Sequence, residues 1–301
     1  GMRRLGADPE VMLADALGHY RSASPLLPHK SQAIMGGGCD FYFDTVLAEC
    51  TVRPAAAADQ FVENIGFSLK TLSDLVAPFK LQTTACWPYR PKELKHKFAR
   101  MGGCKPEWCA YTLLDYRSPR VIRTPTRAAG GHIHIGSEIL ADDIAKIRVV
   151  RMLDLFYSLP CIYIDRDYTA YRRRRGFGQA GRHRRPAHGL EYRTPGPFWL
   201  RSPELVRLTF DLVKFAVDFV AHDRDTQYWT IDPNWHQYED IALAHKCHGY
   251  DVERLREAID LSSTLRADGL AHLVREPLGG LWDRVMALAD KCFNLYEEWG
   301  L

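Results

Sequence analysis

The sequence of 301 residues lacks any apolar run that approaches the roughly 20 residues needed by a membrane-spanning helix. Its first residues also lack the long apolar stretch of a secretory signal. It contains no internal repeat, and its one compositionally biased segment is a group of arginines. We therefore expect neither a membrane span nor a repeat architecture. With 46% hydrophobic residues, the chain can bury a core as one large domain or two small ones.

The eight cysteines show no pattern of a metal site or a disulfide framework. Only Cys104 and Cys109 lie close together in the sequence, whereas structural zinc sites and small disulfide-rich folds use characteristic spacings. We expect reduced, mostly buried thiols in a cytoplasmic protein.

Helical and strand-like segments alternate irregularly along the chain. Apolar residues recur at helical spacing in segments 59–77 and 142–158, in a segment that Ser202 and Pro203 open, and over most of 251–299. The strand-like pieces are 5–13, 40–52, 79–90, 131–137, 160–166 and 189–194. Because these elements do not follow a regular βαβ order, we predict an α+β fold with an antiparallel sheet.

Three pairs of polar residues, each separated by one position, lie in the strand-like pieces. They are Asp8 and Glu10, His132 and His134, and Glu191 and Arg193. Residues i and i+2 of a strand point to the same face, and burying such charges is costly without partners or a metal. Carboxylates with a minority of histidine suit Mg²⁺ or Mn²⁺. Each pair alone is also typical of a surface, but together they predict an active site.

A further acidic element spans Asp40 to Asp44 and continues to Glu49. Glu49 lies within the apolar segment 46–50, where an unpaired carboxylate would be costly, so we interpret it as a metal ligand. Asp40 and Asp44 are either ligands or turn residues.

Residues 172–185 contain seven arginines and no acid, although the whole chain has a net charge of only +3. A phosphate-binding loop would use these guanidinium groups together with mobile glycines. A nucleic-acid surface would need stacking aromatics, and only Phe177 lies within the run. The third interpretation is a solvated basic loop. Because the run leads directly into the strand of Glu191, we favour phosphate binding.

In this order, the motifs resemble those of the glutamine synthetase and glutamate–cysteine ligase superfamily. They are more similar still to the phage-type COOH–NH2 ligases (amidoligases, type 2). The residues that carry this resemblance are Gly6–Glu10, Gly103–Glu107, Gly130–Gly136, Gly189–Arg193 and Phe198–Leu200. The resemblance implies a curved antiparallel sheet of the glutamine synthetase catalytic-domain type, packed with helices. We expect this catalytic domain over 1–235, with a helical region over 236–301 packed on it.

The resemblance also implies an activity and a site. The activity would be an ATP-dependent carboxylate–amine ligation through an acyl phosphate, with two Mg²⁺ or Mn²⁺ ions. Implied metal ligands are Glu10, Glu49 and Asp44 for one ion, and Asp8, His132 and Glu191 for the other. Implied catalytic or phosphate-binding residues are His134, beside the acyl phosphate, and Arg193, Arg182, Arg184 and Arg173.

The expected partners are a small-molecule or peptide carboxylate and an amine, with neither nucleic acid nor a membrane among them. Asp8 stands where glutamine synthetase has a glutamate. No separate N-terminal domain of that enzyme is recognisable, which puts its dodecameric assembly in doubt for this chain and leaves a homo-oligomer open. Alternative functions are a phosphotransferase or a metal-dependent hydrolase that uses the same histidines and carboxylates, and a basic nucleic-acid-binding protein.

Overall fold

A computed structural model of the chain describes residues 1–102, 105–117, 121–187, 189–239 and 241–301. Gly103 and Cys104, which belong to one of the motifs above, lie outside the described residues. The α+β class is confirmed, since the chain combines an eleven-stranded sheet with several helices.

The strands of the described residues are mostly short, apart from the two that form the middle of the sheet. They are β1 (Arg4–Ala14), β2 (Tyr20–Arg21), β3 (Ile34–Gly36), β4 (Cys39–Asp44), β5 (Leu47–Ala55), β6 (Lys80–Gln82), β7 (Cys86–Pro88), β8 (Glu107–Cys109), β9 (Asp115–Tyr116), β10 (Thr126–Ala128), β11 (Gly131–Gly136), β12 (Arg182–Arg184), β13 (Leu190–Tyr192), β14 (Trp229–Ile231) and β15 (His245–Cys247).

The main sheet has the order β3-β4-β5-β1-β11-β13-β12-β8-β9, and β2 and β6 pair with the far end of β1. Neighbouring strands in this sheet are antiparallel. The strands that carry the three polar pairs, β1, β11 and β13, are therefore consecutive in the sheet. Two small pairs, β10 with β7 and β14 with β15, lie outside it.

The α-helices of the described residues include two long ones of 19 residues each, α1 and α5. In chain order they are α1 (Ala58–Val76), α2 (Asp143–Leu153), α3 (Leu159–Cys161), α4 (Ala170–Arg174), α5 (Pro203–Ala221), α6 (Val252–Asp260), α7 (Thr264–Asp268), α8 (His272–Leu278), α9 (Gly280–Ala289) and α10 (Leu295–Trp299). Within the described part of the chain, each helix is too short or too polar to cross a membrane.

The helices cover one face of the sheet. Residues Leu5 and Val11 of β1 are buried in a large hydrophobic cluster that also contains Phe61 of α1 and Leu212 of α5. Because side chains alternate along a strand, Asp8 and Glu10 of β1 point to the opposite face. The alternation in β1 thus separates a hydrophobic core from a polar sheet surface.

Several boundaries differ from the sequence-based prediction. The predicted strand 160–166 is wrong, because its first residues form α3 and a turn follows. A short buried apolar run has the same sequence pattern in a strand and in a helix. Pro160 does not prevent a helix here, because it lies in the first turn of α3, where proline is tolerated. The predicted helix 142–158 is α-helical to Leu153 and continues as a π-helical turn. The predicted strand 40–52 is a hairpin of β4 and β5, with Thr45 at a positive φ in its turn.

The seven described cysteines are free, and five of them are buried. This agrees with the expectation of mostly buried thiols without disulfides.

Candidate active site

Strand register brings the predicted residues onto one face of the sheet. Asp8 pairs with His132 across β1 and β11, and Glu10 pairs with Glu49 across β1 and β5. On the other side of β11, His134 pairs with Glu191, which in turn pairs with Arg184 of β12. Paired residues point to the same side of an antiparallel sheet, so these side chains form a continuous polar surface.

The first carboxylate cluster consists of Glu10, Asp44 and Glu49, and one oxygen from each of them lies within 4.8 Å of the other two. Burial and the neighbouring charge of Asp44 raise the pKa of Glu10 to about 7. Burial and the charge of Glu10 raise the pKa of Glu49 well above its usual range. The ionised forms of these carboxylates are therefore unfavourable together, and a bound cation would stabilise them.

Glu49 is the most enclosed member of this cluster, with 3% of its surface exposed. Its Oε1 accepts a hydrogen bond of 2.8 Å from the Tyr42 hydroxyl and lies 3.8 Å from Lys30 Nζ. Its Oε2 is buried and has no hydrogen-bond partner among the described residues. A buried carboxylate oxygen without a partner is costly unless a cation binds it.

The second cluster consists of Asp8, His134 and Glu191, again with ligand-capable atoms within 4.8 Å of one another. His134 Nε2 lies 2.8 Å from Asp8 Oδ1. His132 is slightly farther away, since its Nδ1 lies 3.8 Å from both Asp8 Oδ1 and Glu191 Oε1. The structure therefore brings both histidines to this cluster, with His134 the closer of the two to Asp8.

The two histidines differ in their electrostatic surroundings. Burial and the charge of Arg193 lower the pKa of His132 well below its usual range. Burial also lowers the pKa of His134, but the hydrogen bond with Asp8 and the charges of Asp8 and Glu191 outweigh it, so the pKa is raised overall. His132 is therefore neutral at pH 7, which is the form of imidazole that binds metals.

Both clusters fit a hard divalent cation. Carboxylate oxygens form most of each donor set, which suits Mg²⁺ or Mn²⁺. The buried Oε2 of Glu49 and the facing carboxylates of Glu10 and Glu49 are features that a bound cation would compensate.

Guanidinium groups continue the polar surface beyond Glu191. Arg193 Nε donates to Glu107 Oε2 at 2.9 Å, and Arg193 Nη1 donates to Glu191 Oε1. Arg182 Nη1 lies 3.5 Å from Glu107 Oε1, and Arg184 Nη1 lies 3.6 Å from Glu191 Oε1. The two buried glutamates thus hold three arginines side by side.

Sequence reasoning did not assign Glu107 to the site, although it belongs to the quoted Gly103–Glu107 motif. This motif was the only sequence feature that pointed to Glu107, because no periodic strand pattern surrounds it. Its role is visible only once β12 pairs with β8.

The remaining arginines of 172–185 have other partners. Arg173 is buried and donates to the carbonyl oxygens of Arg193 and Thr194 at 3.0 and 2.7 Å. Arg174 is also buried and donates to the carbonyl of Ile259. Arg173 therefore supports the backbone that carries Arg193, and the segment is not simply a solvated basic loop.

The family model described as Phage phiEco32-like COOH.NH2 ligase-type 2 matches residues 121–236. The predicted family is confirmed over this segment. A COOH–NH2 ligase, as the family name says, joins a carboxyl group to an amine. The matched segment supplies the histidines, Glu191 and the arginines of the candidate ligase site, whereas Asp8, Glu10, Asp44 and Glu49 lie before it. A search of curated proteins found no match.

Proposed function

We propose that the protein is an ATP-dependent carboxylate–amine ligase that uses two divalent cations on a catalytic sheet of the glutamine synthetase type. The observation that carries this proposal is the arrangement on one sheet face. Two carboxylate-rich clusters lie on neighbouring strands, and a group of guanidinium groups follows directly. The family match supports the ligase class.

Glu10, Asp44 and Glu49 would hold one cation. Asp8, His134 and Glu191, with neutral His132 beside them, would hold the other. When bound, the cations and ATP would supply charge screening and a γ-phosphoryl group that converts a carboxylate oxygen into a leaving group. The protein's part is to hold these carboxylates at fixed positions, which strands β1, β4, β5 and β13 do.

The guanidinium groups of Arg193, Arg182 and Arg184 would bind phosphate oxygens. Burial alone would lower the pKa of Arg193, but the charges of Glu191 and Glu107 outweigh it and raise the pKa overall, so the side chain is fully charged. Because both glutamates fix its orientation, little reorganisation is needed when phosphate charge develops. A planar fork of donors also suits a phosphoryl group better than an ammonium group would.

The test is ADP release with Mg²⁺, ATP and a panel of carboxylates and amines. We expect Glu10→Gln and Glu191→Gln to abolish it, because each removes one charged member of a different cluster. Glu63→Gln is the matched control, since Glu63 is exposed on α1. Wild-type rates in both cluster variants would refute the site assignment.

A thermal-shift experiment separates the ligase from the alternative functions. A ligase gains stability from Mg²⁺ and ATP together. A metal-dependent hydrolase responds to the metal but gains nothing further from ATP. A nucleic-acid-binding protein responds to an oligonucleotide with a steep salt dependence.

A further inference from the structure

A second basic segment lies outside the arginine-rich run. Residues 90–100 contain five exposed cations, which we call the basic rim: Arg90, Lys92, Lys95, Lys97 and Arg100. The acid of this segment, Glu93, is buried and therefore does not neutralise the rim at the surface.

The basic rim is held firmly in place. Glu93 Oε2 accepts from the backbone amide of Ser22 at 2.8 Å, and Glu93 Oε1 lies 3.1 Å from Arg21 Nε. The buried Arg127 guanidinium donates to the carbonyl of Ala99 from Nε at 3.0 Å and from Nη2 at 2.7 Å. These contacts fix both 3₁₀ turns of the segment.

The rim borders the first carboxylate cluster. Leu94 and Ala99 pack in a small hydrophobic cluster with Met12 and Leu47. Met12 points to the same face of β1 as Glu10, two residues earlier. The segment therefore covers the catalytic side of the sheet, next to Glu10.

Strand pairing places the rim beside the other two carboxylates. Leu47, which packs with Leu94 and Ala99, pairs with Asp44 and lies two residues before Glu49, so all three point to one face.

Aromatic contacts attach the rest of the segment to the edge of the sheet. Phe98 stacks on His29 with ring centroids 4.0 Å apart, and His96 contacts Phe43 edge-on at 5.1 Å. Lys30 follows His29 and reaches to 3.8 Å from Glu49 Oε1.

The rim cations differ from the arginines of β12 and β13 in their partners. Among the described residues, none of the five forms an ion pair with a carboxylate. Five exposed like charges on one fixed segment repel one another and attract a polyanion. The rim thus has charge available for a ligand, whereas Arg182 and Arg193 are already held by glutamates.

We propose that the basic rim binds an acidic peptide, so that one of its carboxyl groups reaches the Glu10–Asp44–Glu49 cluster, with Lys30 beside it. This inference rests on the proposed ligase function, since it names the class of carboxylate substrate. A nucleic acid fits the surface less well. The rings of His29, Phe43, His96 and Phe98 contact one another, and a single-strand surface needs ring faces open to bases.

The experiment is fluorescence anisotropy with a labelled hexaglutamate peptide at several salt concentrations. The test variant reverses three rim charges, Lys92→Glu, Lys95→Glu and Lys97→Glu. Its matched control reverses three exposed cations on other elements, Lys70→Glu, Lys246→Glu and Arg254→Glu, which gives the same net charge. Circular dichroism and thermal melting establish that both proteins are folded.

We expect the rim variant to bind hexaglutamate at least about tenfold more weakly than wild type, and the control to change by less than about twofold. Binding of wild type should weaken as salt is raised. Equal binding by the rim variant, or equal binding of a hexaserine peptide, would overturn the proposal. Tighter binding of a thymidine oligonucleotide that is lost in the rim variant would assign the rim to nucleic acid instead.

Failure of the ligase proposal has a different signature. If hexaglutamate binds through the rim, but neither it nor any carboxylate of the panel supports ADP release that depends on Glu10, the rim assignment stands and the ligase function does not. If small monoanionic carboxylates support ADP release that the rim variant retains fully, the ligase function stands and the acidic-peptide assignment is wrong.

Discussion

Glu10 and Glu49 lie directly opposite each other on the antiparallel strands β1 and β5, with both carboxylates on the same face of the sheet. Facing like charges destabilise a sheet, and Glu49 is almost fully buried. The strands at the middle of the sheet therefore carry an unfavourable pair that a divalent cation would relieve.

At alkaline pH, replacing Glu49 by Gln should stabilise the metal-free protein by about 1 kcal/mol. The raised pKa of Glu49 makes its ionised form unfavourable in the fold, and glutamine keeps an acceptor for Tyr42. The same change should reduce the stabilisation that Mn²⁺ gives to wild type. Chemical denaturation with Mn²⁺ and with a chelator measures both effects. Glu63→Gln should leave them unchanged. A destabilised E49Q protein that keeps the full response to Mn²⁺ would argue against a cation at this cluster.

Glu10 should make the metal-free protein less stable as pH rises. Its pKa is about 7 in the folded protein against an ordinary value of 4.5, so the fold favours the protonated form. The stability that depends on this proton is complete below pH 4.5 and is lost as pH rises through about 7. The difference in unfolding free energy between Glu10→Gln and wild type should grow over this range, by on the order of 3 kcal/mol. A difference that is constant with pH would contradict the assignment.

Gly178 should be required for the placement of Arg173. Its φ is +67°, and a Cβ there would lie 2.1 Å from Arg173 Nη1. This nitrogen donates to the carbonyl oxygen of Thr194, and Nη2 donates to that of Arg193. We expect Gly178→Ala to destabilise the protein by about 2 kcal/mol. Gly18→Ala is the matched control, because its φ is +76° and a Cβ at that position meets nothing within 4 Å. Equal unfolding free energies for the two variants would show that Arg173 can move aside.

Arg193→Lys should lower ADP release by about 100-fold, since an ammonium group cannot contact Glu107, Glu191 and a phosphoryl group as a planar fork does. Arg185→Lys is a suitable control. Arg185 belongs to the same basic segment, but it lies 3.6 Å from Asp143 and over the ring of Trp108. Steady-state kinetics should show the loss of ADP release for R193K and not for R185K. Similar losses in both variants would point to a general effect of the segment's charge.

Local pattern was enough to predict the polar sheet face but not its exact contacts. Alternation along a strand puts Asp8 and Glu10 on one face of their strand, and His132 and His134 on one face of theirs, whatever the partner strands are. Which histidine lies closer to Asp8 depends on the register of β1 with β11, and that is set by long-range packing. For the same reason the sequence did not show that Arg173 is buried against backbone carbonyls, nor that Glu107 lies between Arg182 and Arg193.

The most direct test of the ligase proposal follows oxygen atoms. Carboxylate substrates labelled with ¹⁸O are incubated with Mg²⁺, ATP, an amine and the enzyme, and the released phosphate is analysed by mass spectrometry. In the proposed reaction a carboxylate oxygen attacks the γ-phosphorus and ADP leaves. The amine then attacks the acyl carbon and expels phosphate that retains this oxygen. We predict one ¹⁸O in the phosphate, together with ADP and an amide, and none of these products with Glu10→Gln. Unlabelled phosphate, or AMP with pyrophosphate, would contradict the account.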